Sequence, residues 1–213
     1  MDESTTREKV MKKIRNALIN KVESPFYDVD LETPVTPSFV DDSEIVFAQE
    51  FTRADGMFVY CESQEQFIEL LHSFVTEKGL LPVLALDSKL KSYLELANIP
   101  VTIDDDRLQE ARTALILCEA LVARTGSIVV SSRQTSGRRL PVIAEVLIVV
   151  AYPNQVCGEL KDALNMVKTK YDGTLPSQIT FITGPSRTAD IEKTLVKGVH
   201  GPKEVYLFFV DEL

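Results

Sequence analysis

From Gly56 onward, short apolar runs alternate with stretches whose apolar residues recur every three or four positions. That rhythm reads as strand, helix, strand. Met57–Cys61 is a run of strand length. Gln64–Glu77 follows as a helix with Phe67, Leu70, Leu71 and Phe74 on its inward face. Leu81–Leu86 is the next strand, Ser88–Ala97 the next helix, and Val101–Ile103 a short strand. The runs do not alternate apolar with polar residues, so these strands are covered on both faces. Strands separated by helices imply an α/β fold, a parallel or mixed sheet flanked by helices.

Asp104–Ala123 reads two ways. Its Ala, Leu, Glu and Arg content favours a helix, whereas Leu115–Cys118 could be a buried strand. A helical turn near Arg107, a strand over Thr113–Leu117 and another over Leu121–Arg124 fit best. Gly126 turns the chain into a strand at Ile128–Ser131, rich in β-branched residues. Ser132–Arg139 is a mobile polar loop. Val146–Val150 is a strand, and Asn154 can cap a helix with Val156, Leu160, Leu164 and Val167 on one face. A strand at Ile179–Ile182 leads through a turn into a helix over Ile191–Lys197. Val205–Val210 is a last strand.

The N-terminal region differs. Val10, Ile14, Ala17 and Leu18 recur at helical spacing, with Thr5 or Thr6 as cap and Glu8 in the first turn. Pro25, Pro34 and Pro37 then sit among acidic and hydroxyl residues, as in a linker. A second short helix covers Ile45–Phe51. The expected organisation is a helical arm and linker over residues 1–50 and one domain over 51–213.

The 213 residues, 45% hydrophobic and 26% charged, suit a globular core. A net charge of −9 argues against nucleic-acid binding, which needs a basic face. No apolar run reaches the roughly 20 residues that span a bilayer. Asp2, Glu3 and Glu8 argue against a transit peptide, so the cytoplasm is the expected location. Cys61, Cys118 and Cys157 are scattered. They suggest neither a disulfide framework nor the ligands of an iron–sulfur cluster or structural zinc.

Chemistry concentrates at Thr183–Asp190. If Gly184 or Ser186 caps a helix there, the free N–H groups of its first turn attract an anion. Arg187 adds a charged fork, and Ser186 and Thr188 add hydroxyl donors. The alternative is a well-capped helix whose Arg187 and Asp190 pair with neighbours. His200 lies in Gly198-Val-His-Gly-Pro202, where it could serve an acid, base or binding role, or simply cap backbone carbonyls. Only His72 accompanies it in the sequence, too far away to suggest a metal site. Thr125, Gly126 and Ser127 could present donors to a ligand or form a plain turn. Arg133, Arg138 and Arg139 could close over an anion or stay solvated. Glu119, after a strand, could be a carboxylate nucleophile. Asp104–Asp106 reads as a solvated turn. No phosphate-cradling loop or serine-hydrolase motif is present.

Ile182-Thr-Gly-Pro-Ser-Arg-Thr-Ala-Asp-Ile-Glu192, with Leu195–Pro202, resembles the C-terminal signature of the lactate-utilisation protein C family, the LUD-domain proteins. Leu121–Val130 and Arg139-Leu140-Pro141 are similar to further family elements. The resemblance spans roughly Met57 to Leu213. The family usually carries an acidic residue where Arg124 stands and commonly a His where Leu147 stands. Arg124 therefore reverses the local charge, favouring a more anionic partner.

The resemblance implies a fold like that of the sugar-phosphate isomerase and CoA-transferase superfamily. It implies an accessory or ligand-binding subunit of a lactate-oxidising complex, with iron–sulfur clusters in partner proteins and none in this chain. The alternative is a stand-alone enzyme acting on an acyl-CoA or a phosphorylated small molecule. The expected anion pocket comprises Thr125, Gly126, Ser127, Gly184, Ser186, Arg187, Thr188, Asp190 and His200.

Overall fold

The computed structural model of the protein describes residues 5–19, 28, 30, 33, 36–102, 112–189 and 195–211. The chain divides into two compact units, Met1–Ser38 and Phe39–Leu213. In the first, α1 (Thr6–Ile19) is the helix that its apolar spacing predicts. It opens on a capping box: the Thr5 hydroxyl accepts from the Glu8 N–H at 3.3 Å, and the Glu8 carboxylate accepts from the Thr5 N–H at 2.8 Å.

The second unit opens with α2 (Ser43–Arg53), β1 (Met57–Cys61), α3 (Gln64–Glu77), β2 (Val83–Leu84), α4 (Ser88–Leu96), β3 (Val101–Thr102) and β4 (Thr113–Leu117). The hairpin β5 (Ala120–Val122) and β6 (Ser127–Ser131) follows, then α5 (Leu140–Ile143), β7 (Val146–Ala151) and β8 (Val156–Cys157). Next come α6 (Leu160–Lys170), β9 (Ile179–Ile182), β10 (Arg187–Ala189), β11 (Leu195–Lys197) and β12 (Glu204–Val210).

Six strands make one sheet in the order β1-β12-β7-β4-β2-β3, and every pair in it is parallel. Residue parity decides which face each side chain joins. Leu115, Ile148, Val150, Tyr206 and Phe208 point into one core with Phe67 and Leu71 of α3 and Leu90 and Leu94 of α4. Ala114, Ile116, Leu147, Val149, Leu207 and Phe209 join the other core. There they meet Phe47 and Phe51 of α2 and residues Leu121, Ile128, Val130 and Ile182 of a second sheet. That sheet runs β8-β5-β6-β9, and its outer face, Ala120, Val122 and Val129, is closed by Ala163 and Val167 of α6. Burial on both faces explains the unbroken apolar runs.

Several boundaries differ from the sequence reading. β2 covers only Val83–Leu84 of the expected Leu81–Leu86, since Pro82 has no N–H to give a ladder. Leu70 is 36% exposed rather than inward. Asn154 does not cap a helix; it sits in a single 3-10 turn, Pro153–Gln155, and Val156–Cys157 pairs with β5. The helix starts at Leu160 behind Glu159 and buries Ala163 and Val167. The largest correction concerns the segment after Thr183. Arg187–Ala189 is a strand, antiparallel to Leu195–Lys197, where a helix was expected. The Ser186 N–H donates to the Pro202 carbonyl at 2.8 Å, and the Ser186 carbonyl accepts from Gly198 N–H at 3.0 Å. Those bonds extend the hairpin instead of opening a helix, so no helical N-terminus forms at Gly184 or Ser186. Arg107, Asp104–Asp106 and Asp190–Thr194 lie outside the described residues.

Candidate functional site

The residues singled out around Gly184 converge mostly on the end of α2. Gly126 has φ 58° at the β5–β6 turn, and a Cβ there would stand 2.2 Å from the Phe51 nitrogen. Gly184 has φ 74°, and its Cβ would stand 2.0 Å from the Ala54 carbonyl oxygen. Both positions need glycine for conformation and for space. Arg187 donates from Nη2 to the Ala54 carbonyl at 2.7 Å and lies 2.9 Å from Asp55 Oδ2. A cation at a helix C-terminus is well placed against the helix dipole. The Ser127 hydroxyl bonds Thr125 Oγ1 and Thr183 Oγ1, each at 2.7 Å.

The other members are placed differently. Ser186 packs on Gly201, its Cβ 3.0 Å from where a Cβ would stand there. Thr188 pairs with Val196 across the hairpin. His200 is exposed and lines a groove of about 550 Å³ with Arg139, Glu145 and Lys203. None of Thr125–Ser127 or Gly184–Thr188 lines that groove. Asp190 lies outside the described residues. Arg124 is answered within the chain: Nε and Nη2 donate to Glu159 Oε1 at 2.9 and 2.7 Å, and the guanidinium covers the Phe39 ring at 4.1 Å. Leu147 is fully buried in β7.

A different place has room for a ligand. The chain runs from β2 outward to β3, then returns to β4 on the other side of β2 and continues to β7 and β12. Where strand order reverses, an open parallel sheet leaves a crevice at its carboxyl ends, the usual ligand position in such sheets. A cavity of about 260 Å³ lies there. Leu86, Leu90, Leu115 and Leu117 supply apolar lining. Arg133, Ser136, Tyr152, Lys170 and Tyr171 supply polar lining.

Behind this wall sits Glu119, its side chain fully buried. It accepts from Lys170 Nζ, the Tyr171 hydroxyl and the Ser131 hydroxyl, each at 2.6 Å. Burial pushes its carboxyl up, but the bonds from Lys170, Ser131 and Tyr171 outweigh burial and hold it below the usual carboxylate range. Glu119 does not line the cavity. It is a positioning residue that fixes Lys170 and Tyr171, and its burial behind the wall keeps it from the nucleophile role considered from sequence. Arg133 lies over the Tyr171 ring, 4.9 Å from its centre. Across the cavity lining, the Tyr152 hydroxyl meets Tyr93 OH at 3.2 Å, with Lys89 4.4 Å above the Tyr152 ring. Burial leads the effects that push the Tyr152 phenol up to about 12.

The thiols are poor ligands as folded. Burial raises Cys118 to about 12 and Cys61 and Cys157 to about 11. No group of three or more His, Cys, Asp or Glu among the described residues is arranged to hold a metal ion. The sequence offers Arg133 together with Arg138 and Arg139, and Glu119 alone. Ser136, Tyr152, Lys170 and Tyr171 escape a reading of the sequence and share no signal in it.

A parallel sheet covered on both faces, with a cavity at its carboxyl edge, defines an α/β domain. Residues 46–210 match the LUD domain, and the chain belongs to that family. It is 33% identical over 109 residues to "Lactate utilization protein C" of Geobacillus kaustophilus, a match covering 50% of this chain and 45% of that protein. It is 29% identical over 178 residues to the protein of the same name from Anoxybacillus flavithermus, covering 78% and 80%. The first match thus spans a little under half of its relative's length. A crystal structure of a DUF162-family protein from Deinococcus radiodurans shares the fold, with TM-score 0.57, 16% identity, and coverage of 82% of this chain and 99% of that one. No helix among the described residues is long and apolar enough to cross a membrane.

Proposed function

We propose that the protein serves lactate utilisation as a ligand-binding subunit and holds a small anion in the cavity between β2 and β4. One observation carries the binding role: the cavity occupies the carboxyl-edge switch point and is lined by Arg133 and Lys170. Family membership and the names of the relatives carry the link to lactate. The reading places electron transfer in iron–sulfur partner proteins. The buried thiols at positions 61 and 118 support that division of labour.

Deleting the gene in its own cell tests the proposal. Growth on L-lactate as sole carbon source should fail, and the intact chain should restore it. Affinity capture of the restored chain should bring down cysteine-rich iron–sulfur proteins. Normal growth on L-lactate after deletion overturns the role, and capture of the chain alone overturns the complex.

A further inference from the structure

Acceptors and donors are unequally committed around the cavity. Asp87 accepts from the Lys89 N–H at 2.9 Å and from the Thr135 hydroxyl at 3.3 Å. The Gln134 side-chain oxygen accepts from the Ser131 N–H, and that of Gln155 from the Tyr152 N–H, both at 2.9 Å. Their amide nitrogens donate to the Leu117 and Cys118 carbonyls at 3.0 and 2.7 Å. These side-chain acceptors already have partners.

The donors do not. Among the described residues, no ion pair or side-chain hydrogen bond engages the Arg133 guanidinium, which rests on Tyr171. Ser136 Oγ is buried with no hydrogen-bond partner among them. Lys170 commits one donor to Glu119, and an ammonium has three. A buried hydroxyl without a partner is unfavourable unless something else fills the role. The complement is a molecule rich in acceptors.

Charge narrows the class. The Lys170 charge is answered by Glu119, and Asp87 caps the start of α4. Among the described residues that line the cavity, Arg133 is the cation with no carboxylate partner, and a guanidinium matches one carboxylate through two parallel bonds. A phosphomonoester, near two negative charges at neutral pH, would require a second free cation. Leu86, Leu90, Leu115 and Leu117 offer an apolar bed for a short carbon chain.

We infer that this cavity selects a monocarboxylic acid bearing a second oxygen beside the carboxylate, with Arg133 holding the carboxylate and Ser136 donating to the second oxygen. The inference rests on the ligand-binding reading above and adds the residues that set its specificity.

Isothermal titration of the full chain with pyruvate, L-lactate, propionate and phosphoenolpyruvate tests it. Pyruvate or L-lactate should bind at least tenfold tighter than propionate, which lacks the second oxygen, and than phosphoenolpyruvate. Arg133→Gln should weaken pyruvate and L-lactate at least tenfold. Ser136→Ala should bring them down to the level of propionate while leaving propionate unchanged. Ser136→Ala removes an unpartnered hydroxyl, so its melting temperature should not fall. The inference is overturned if no acid binds, if phosphoenolpyruvate binds tightest, or if Ser136→Ala weakens propionate as much as pyruvate. Acid binding as stated, with normal growth of the deletion strain on L-lactate, would sink the lactate role alone. Failed growth without acid binding would sink this inference alone.

Discussion

The turn around Gly184 and the cavity beside Arg133 hold similar ingredients in opposite states. At the turn, Arg187 is spent on the Ala54 carbonyl and on Asp55, while glycine presses against the α2 backbone. At the cavity, Arg133 has only an aromatic face beneath it, and Ser136 keeps its hydroxyl unpaired among the described residues. A dense run of Gly, Pro, Ser and Arg therefore marks a place where backbones meet closely. Capacity for a ligand is marked instead by donors left over after folding.

This contrast can be broken most forcefully at the glycines. Gly184→Ala combines an unfavourable positive φ with a Cβ 2.0 Å from a carbonyl oxygen. It should cost about 3 kcal/mol or more, read as a lower urea midpoint. An unchanged midpoint would mean that α2 does not press there.

Glu119→Gln should cost about 1–3 kcal/mol at pH 7 by weakening bonds to a buried charged acceptor. The folded carboxyl lies below its unfolded value of about 4.3. Its contribution is thus present above that pH and is lost as pH falls through the folded value. The gap between wild type and variant should shrink from pH 7 to pH 3. A constant gap would show that the folded carboxyl is not ionised.

Arg187→Ala should have the smallest effect. Its pair with Asp55 is partly exposed, and such pairs contribute about 1 kcal/mol or less. Stability should fall slightly, and any thermal shift given by pyruvate should survive. Loss of the shift would return the anion site to the Gly184 turn.

Most of the scaffold was legible because the large sheet is buried on both faces. Val146–Ala151 announces itself as an unbroken apolar run, and Gln64–Glu77 combines helical periodicity with Ser63, whose hydroxyl accepts from the Gln66 N–H. The hairpin at Arg187–Lys197 was not legible. A short apolar run carries no period of its own, and the partners of Ser186, Gly198 and Pro202, are set by tertiary pairing. The cavity was legible only in fragments. Glu119, Ser131, Lys170 and Tyr171 meet because β5, β6 and α6 stack, and no spacing in the chain reports that meeting.

The position of β12 has a consequence for biosynthesis. It lies between β1 and β7, so β1 has no other neighbour in the described sheet. During synthesis, Met57–Cys61 must wait until residue 210 has emerged before it gains a partner strand. Until then the cores on either side of that slot stay open, and the nascent chain exposes apolar edges that invite association. Chaperone dependence should therefore be greatest for chains stalled just short of Glu204.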